Sequence, residues 1–237
     1  MMCYHGKGGL LAAHIDPCEG GISVKKIIAI NGSPRRNGNT AELLGCALDG
    51  AREAGAEAQL IHLYSLNFKG CISCFYCKRK DKEHGHCAMR DDLSPVLEDI
   101  KLADAIIFGS PIYFMNLSAG MIAFMERLFF SNYIYSDEIP TVFPKHLPNG
   151  FIYTMNMTEE HVKQYGIRER FAFHEGSAER FLQVKPQILY AYNTYQFNDY
   201  AKYESSIFSE PDKAAYRKEV FPKQCEEARR MGKALVS

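Results

Sequence analysis

The chain has 237 residues, 46% of them apolar, which suits one α/β domain with additions and a large core. Its 28 Lys and Arg balance 28 Asp and Glu with no long basic run, so neither nucleic acid nor a membrane surface is expected as a partner. No apolar stretch approaches the ~20 residues of a membrane span, and the run from Leu10 to Ala13 is too short for a signal-peptide core. A cytoplasmic protein with reduced cysteines is therefore expected.

Residues 1–24, with several glycines, read as an N-terminal extension ahead of a domain over 25–237. Lys26 to Asn31 is an apolar run expected as a buried strand, and Gly32-Ser33-Pro34-Arg35-Arg36-Asn37-Gly38 is a loop of turn formers. A helix follows, with Asn39 as N-cap, Glu42 completing a capping box, and Leu43, Leu44, Ala47, Leu48 and Ala51 at helical spacing up to Gly55. Ala58 to Tyr64 reads as the second strand, and residues 66–90 form a loop rich in cysteine. Asp91 or Asp92 caps a short helix carrying Leu93, Val96, Leu97 and Ile100. Ala105 to Phe108 is a third strand, and a helix is expected from about Leu117 to Phe130. Gly150 to Thr154 and Gln187 to Ala191 give the fourth and fifth strands, separated by a largely helical stretch from Glu159 to Phe181. Residues 210–235 form a terminal helix interrupted near Pro222. Alternating strands and helices predict a three-layer doubly wound sandwich with a five-stranded parallel sheet, strand order 2-1-3-4-5. Ligands of such sheets sit at the carboxyl ends of the strands.

The loop from Gly32 to Thr40 is the most informative segment. A strand ends, the chain turns, and a helix begins with free N–H groups that favour an anion. Ser33 and Thr40 add hydroxyl donors, Asn39 an amide, and Arg35 or Arg36 charge. A nucleotide P-loop does not fit, because five residues separate Gly32 from Gly38 and Asn39 stands where Lys is needed. The dinucleotide pattern G-x-G-x-x-G is absent. A terminal ribityl phosphate fits, and so does an ordinary capped βα loop.

The run I-N-G-S-P-R-R-N-G-N-T resembles the phosphate loop of NAD(P)H-dependent FMN reductases of the flavodoxin-like superfamily. A second matching segment is Gly109-Ser110-Pro111-Ile112-Tyr113-Phe114-Met115-Asn116, followed by Ser118-Ala119 and Ala123-Phe124-Met125-Glu126-Arg127. The resemblance covers about residues 25–160. It implies that Ser33, Arg35, Asn39 and Thr40 hold the FMN phosphate, that Pro111, Ile112, Tyr113, Phe114 and Asn116 contact the ring and ribityl chain, and that Thr154, Met155 and Asn156 close the other side.

Cys71, Cys74 and Cys77 are spaced C-x2-C-x2-C, and Cys87 follows after nine residues. Such thiolates can hold an iron–sulfur cubane. The segment is similar to the compact motif of the iron–sulfur flavoproteins, which implies a [4Fe–4S] cluster near FMN. The last gap is longer than in that group. Two other readings stay open: a zinc site completed by His84 or His86, and thiols that bind nothing. Cys46 is expected to pack in the first helix, while Cys3, Cys18 and Cys225 are too scattered to pair.

His161 and His174 read as surface or packing residues. Tyr190, Tyr192, Tyr195, Phe197, Tyr200 and Tyr203 read as packing of a C-terminal addition starting near residue 193, with part of it at the flavin mouth or a subunit contact. The resemblance implies hydride transfer from NADH or NADPH to FMN and onward to a small acceptor such as a quinone or flavin. Tyr113 is the residue expected to shape the acceptor side. The resemblance also implies a homo-oligomer. An electron carrier fed by a ferredoxin-like donor, and a flavin-free binding module, are the other readings.

Overall fold

The computed structural model describes residues 24–237; residues 1–23, which carry the expected extension with Cys3 and Cys18, lie outside the described residues. In chain order the elements are β1 (Lys26–Asn31), α1 (Asn39–Glu53), β2 (Glu57–His62), α2 (Leu93–Leu102), β3 (Ala105–Tyr113), β4 (Asn116–Leu117), α3 (Ala119–Asn132), β5 (Asn149–Thr154), α4 (Glu159–Gln164), α5 (Ile167–Leu182), β6 (Gln187–Ala191), α6 (Glu210–Glu219) and α7 (Phe221–Leu235). The five long strands are parallel in the order β2-β1-β3-β5-β6, which is the order expected from the sequence. The two-residue β4 pairs antiparallel with the end of β3 and was not foreseen.

Strand alternation divides the core between the two faces of the sheet. Ile28, Ile30, Ile106, Phe108, Phe151 and Tyr153 point to the face covered by α2, α3 and α5. Ile27, Ala29, Ala105, Ile107 and Ile152 point to the face covered by α1 and α7. On the first face Phe108 stacks on Phe151 at 4.7 Å, and Tyr153 on Phe171 at 4.7 Å. Each such fully buried aromatic contributes about 1.5–3 kcal/mol by leaving water. On the second face α1 and α7 cross at Gly50 and Gly232. A Cβ on Gly232 would lie 1.7 Å from the Ala47 carbonyl oxygen, so the crossing requires a hydrogen there.

Two local expectations are corrected, and a third, the largely helical stretch after β5, holds with one break. The capping box at Asn39 does not form: Gly38 is the N-cap and no side chain caps α1. Tertiary partners have taken both side chains, since Asn39 Nδ2 donates to the Tyr195 carbonyl at 2.9 Å and Glu42 accepts from Arg217 at 2.7 Å. β3 does not stop at Phe108 but runs to Tyr113, because its pairing with β5 continues through Ser110↔Tyr153 and Pro111↔Thr154. The helical stretch after β5 breaks at Gly166, which sits at φ +57, a conformation that costs most side chains energy.

The topology opens a crevice. From β1 the chain leaves to β2 on one side, while β3 lies on the other, so the loops after β1 and β3 diverge at the carboxyl edge.

Candidate functional site

The loop after β1 is built by Asn31, which is fully buried at the strand end. Its Oδ1 accepts from the Ser33 N–H at 2.9 Å, and its Nδ2 lies 2.9 Å from His62 Nδ1. Ser33 Oγ in turn accepts from the Arg35 N–H at 3.1 Å, leaving its own hydroxyl proton free. The chain then enters α1 without a side-chain cap, and the first-turn residues Thr40 and Ala41 are buried. Their N–H groups have no intrahelical acceptor and require a partner from outside the helix. Thr40 Oγ1 lies 2.7 Å from Thr154 Oγ1. One of those two protons is used between the pair and one remains available.

The loop after β3 is pinned to this one. Ser118 Oγ donates to the Gly32 carbonyl at 2.6 Å, and the Ser118 N–H donates to Ser110 Oγ at 3.0 Å. Between them Tyr113 pairs with Asn116 across a two-residue turn in which Phe114 and Met115 stand at φ +46 and +64. Left-handed backbone costs a non-glycine residue about 1–2 kcal/mol, and such strain concentrates at functional sites. Phe114 pays in addition by full exposure of its ring.

One cavity lies between these loops and the ends of β5 and β6. It is lined by Ser33, Arg35, Gly38, Asn39, Thr40, Pro111, Ile112, Tyr113, Thr154, Met155, Asn156, Thr194 and Gln196. Ten of the twelve residues that the resemblance implied for the cofactor are therefore brought together. Phe114 and Asn116 do not line it: Phe114 points to solvent, and Asn116 Oδ1 accepts from the Leu117 N–H and faces His174 Nε2 at 3.0 Å. Arg35 and Asn39 line the cavity, but their side chains hold the segment after β6. Arg35 Nη1 donates to the Gln196 carbonyl at 2.7 Å, and Asn39 binds Tyr195. Sequence reasoning missed Thr194 and Gln196, which arrive from far along the chain with no local signal. Burial raises the Tyr113 phenol above its ordinary value.

The cavity suits a flavin phosphate and ring in chemistry. At one end are uncapped amides and free hydroxyl protons. Asn156, which also lines the cavity, carries a buried Oδ1 with no hydrogen-bond partner among the described residues, and a buried acceptor calls for a donor. Ile112, Tyr113 and Met155 supply an apolar wall.

Cys71, Cys74, Cys77 and Cys87 line a second cavity, with Ile72, Phe75, Met89, Phe130 and Arg127. Ser73 and Phe75 in this loop stand in left-handed backbone, at φ +54 and +56. Arg127 Nε lies 3.0 Å from Cys87 Sγ, and burial raises the Cys77 thiol above its ordinary value despite the neighbouring Lys78. Among the described residues no group of three or more Cys, His, Asp or Glu is close enough to hold a single metal ion. The two histidines of the loop have other partners: His84 faces the Arg79 carbonyl, and His86 faces Glu98 and Lys101. The wall around the four cysteines combines apolar Ile72, Phe75, Ala88, Met89 and Phe130 with the charged Glu126 and Arg127. Elsewhere, Cys46 of α1 and Cys225 of α7 lie near one another, a proximity no sequence spacing announces; burial first, and Cys46 second, push Cys225 up to about 12.

Residues 25–140 match the family model described as NADPH-dependent FMN reductase. An iron–sulfur flavoprotein of Methanocaldococcus jannaschii is 42% identical over 102 residues, covering 43% of this chain and 51% of that protein. The chain spans about half the length of the curated relatives it matches. Among solved structures, the NAD(P)H:quinone oxidoreductase of Methanothermobacter marburgensis superposes with a TM-score of 0.65 at 20% identity, covering 90% of this chain and 98% of that one. An FMN-dependent NADH-azoreductase of Bacillus anthracis, in complex with FMN, gives 0.63 at 11% identity, covering 90% and 100%. These two likenesses speak to the fold. Among the described residues no helix is long and apolar enough to cross a membrane.

Proposed function

We propose that this chain is a flavodoxin-like member of the NADPH-dependent FMN reductase and iron–sulfur flavoprotein group, on the match over residues 25–140 and the 42% likeness over 102 residues, and that it is an FMN-dependent oxidoreductase passing electrons from NAD(P)H or a reduced carrier to a small acceptor. The single observation that carries the reading is the cavity at the carboxyl edge of β1, β3 and β5, which joins the uncapped start of α1 and the Ser33 and Thr40 hydroxyls to Pro111, Ile112, Tyr113, Met155 and Asn156.

In this reading the first-turn amides of α1, Ser33 and the Thr40–Thr154 pair bind the FMN phosphate. Arg35 and Asn39 act chiefly by fastening residues 195–196 over that end. Pro111, Ile112, Tyr113, Met155 and Asn156 orient the ring. FMN supplies the hydride and single-electron chemistry when bound, and the protein supplies position, polarity and exclusion of water. No acid or base is required of the side chains in the first half-reaction. Tyr113, half-exposed at the mouth, offers an aromatic surface and a hydroxyl to a flat acceptor such as a quinone.

The four cysteines of the 66–90 loop would hold a [4Fe–4S] cluster, which would exchange single electrons with the flavin. What supports this is that all four line one cavity, together with the likeness to iron–sulfur flavoproteins. That cavity also favours a second reading, an electron carrier served by a ferredoxin-like donor. The rest of the proposal is a domain over 25–237 with an addition from about 193, a cytoplasmic home with free thiols, and a homo-oligomer whose contact covers the exposed Phe114 ring.

Protein purified without oxygen tests this. Flavin bands together with iron and sulfide, and NAD(P)H-driven quinone reduction, support the enzyme. Flavin and iron without NAD(P)H turnover support the carrier. A colourless protein that takes up no FMN defeats both.

A further inference from the structure

Lys213 and Arg127 are the two fully buried basic side chains among the described residues. Arg127 has a carboxylate partner in Asp91. Among the described residues Lys213 has none within ion-pairing distance: its Nζ donates to the Asn156 carbonyl at 2.9 Å and to Asn193 Oδ1 at 2.8 Å, and lies 5.1 Å from the centre of the Phe208 ring. A buried ammonium without a counter-ion is costly, and burial pushes Lys213 down to about 8, so at neutral pH the charge is largely retained.

The charge sits directly behind the proposed flavin cavity. Asn156 lines that cavity, as do Met155 and Thr194 on either side of the clamp. The two loops are laced together under Lys213: the Asn193 N–H donates to the Met157 carbonyl at 2.8 Å, the Thr194 N–H to the Met155 carbonyl at 3.0 Å, and Asn193 stands at φ +45. Lys213 lies on α6, beyond the segment that the family model matches.

We propose that Lys213 is a positioning residue that fixes the 155–157 and 193–194 loops against the flavin ring and, by its uncompensated charge, favours the reduced cofactor over the oxidised one. The inference rests on the FMN reading given above. When FMN takes up two electrons from a nicotinamide donor and one proton, its ring gains a net negative charge, and a nearby cation in a poorly hydrated wall stabilises that form selectively. A purely structural clamp would hold both redox forms alike.

The test uses the full chain loaded with FMN, in the wild type and in two variants. Lys213→Met removes the charge at similar volume. Asn193→Asp keeps the fold of the clamp, since Asp tolerates left-handed backbone, and sets a carboxylate against the ammonium. Affinity for oxidised FMN is measured by titration and the flavin midpoint potential by dye equilibration. Both variants are expected to bind oxidised FMN within about threefold of wild type, yet to bind the reduced form about tenfold less tightly, which lowers the two-electron potential by about 30 mV. An unchanged potential overturns the inference, and so does an equal loss of affinity for both forms, which marks a packing clamp alone. If Lys213→Met fails to fold, Asn193→Asp decides by itself. A wild-type protein that binds no FMN sinks the underlying reading as well, and is told apart by that.

Discussion

Arg127 ties both ends of the cysteine loop to α3, and its removal has a calculable cost. Its side chain is fully buried. Nη1 reaches Asp91 Oδ2 at 2.8 Å and the Lys69 carbonyl at 3.0 Å, Nη2 reaches Asp91 Oδ1 at 3.3 Å, and Nε faces Cys87 Sγ. Arg127→Met leaves the Asp91 carboxylate and the Lys69 carbonyl behind. Breaking a buried pair by deleting one partner costs about 3–5 kcal/mol. Asp91 keeps 16% exposure and a bond from the Leu93 N–H, which places the loss near the lower end, about 3 kcal/mol. That corresponds to a fall in Tm of about 6–12 °C for a chain of this size. The assay is urea denaturation of the wild type, Arg127→Met, Asp91→Asn and the double variant, followed by circular dichroism. The double variant should be no less stable than Arg127→Met alone. Burial would raise the Asp91 carboxyl, but the hydrogen bonds and charge of Arg127 outweigh it and hold the group below the usual range. The stability it adds is present above the unfolded value of about 3.9 and is lost as pH falls through the lower folded value, and Arg127→Met should flatten that acid limb. A loss under 1 kcal/mol, or strictly additive single effects, would refute the reasoning.

Gly232→Ala should cost about 3 kcal/mol in the same denaturation assay, because the obstructing atom at 1.7 Å is the Ala47 backbone oxygen and the helices must part. Gly45→Ala, in the same α1 helix but with nothing within 4 Å of its new Cβ, should stabilise by about 0.5–1 kcal/mol, and the opposite sign there would show that α1 is not where it is described. Lys213, lowered to about 8 by burial, deprotonates in the folded chain before it does in the unfolded one. Its penalty is therefore full below pH 8 and relieved as pH rises towards 10.5, so wild type should gain about 3 kcal/mol on Lys213→Met across that window, read from urea midpoints at each pH. A flat difference would contradict the buried ammonium.

The sheet was legible because its strands are buried on both faces: Ile27 to Ile30 and Ile106 to Phe108 are short continuous apolar runs, and the helices between them keep helical spacing. The far end of β3 was not, since Gly109 and Pro111 read as turn formers until β5 supplies a register. The cavity was legible where its residues are contiguous, from Ser33 to Thr40 and from Pro111 to Tyr113. It was illegible where tertiary contacts redirect a side chain or bring a distant one. Asn39 reads as a helix cap and serves Tyr195 instead. Glu42 reads as half of a capping box and pairs with Arg217, 175 residues away. Lys213 lies in a polar segment with no motif to single it out, and it is buried beside Asn156. No local pattern encodes such contacts, because the sequence separation that defines them carries no period.

The account depends most on anion binding at the start of α1, and a fluorescence titration of FMN into the purified chain tests it most directly. Saturable binding of one FMN per cavity is expected, weakened about tenfold or more when Ser33→Ala and Thr40→Val together remove two hydroxyl donors to a charged phosphate. Absence of saturable binding, or binding indifferent to both substitutions, would contradict it.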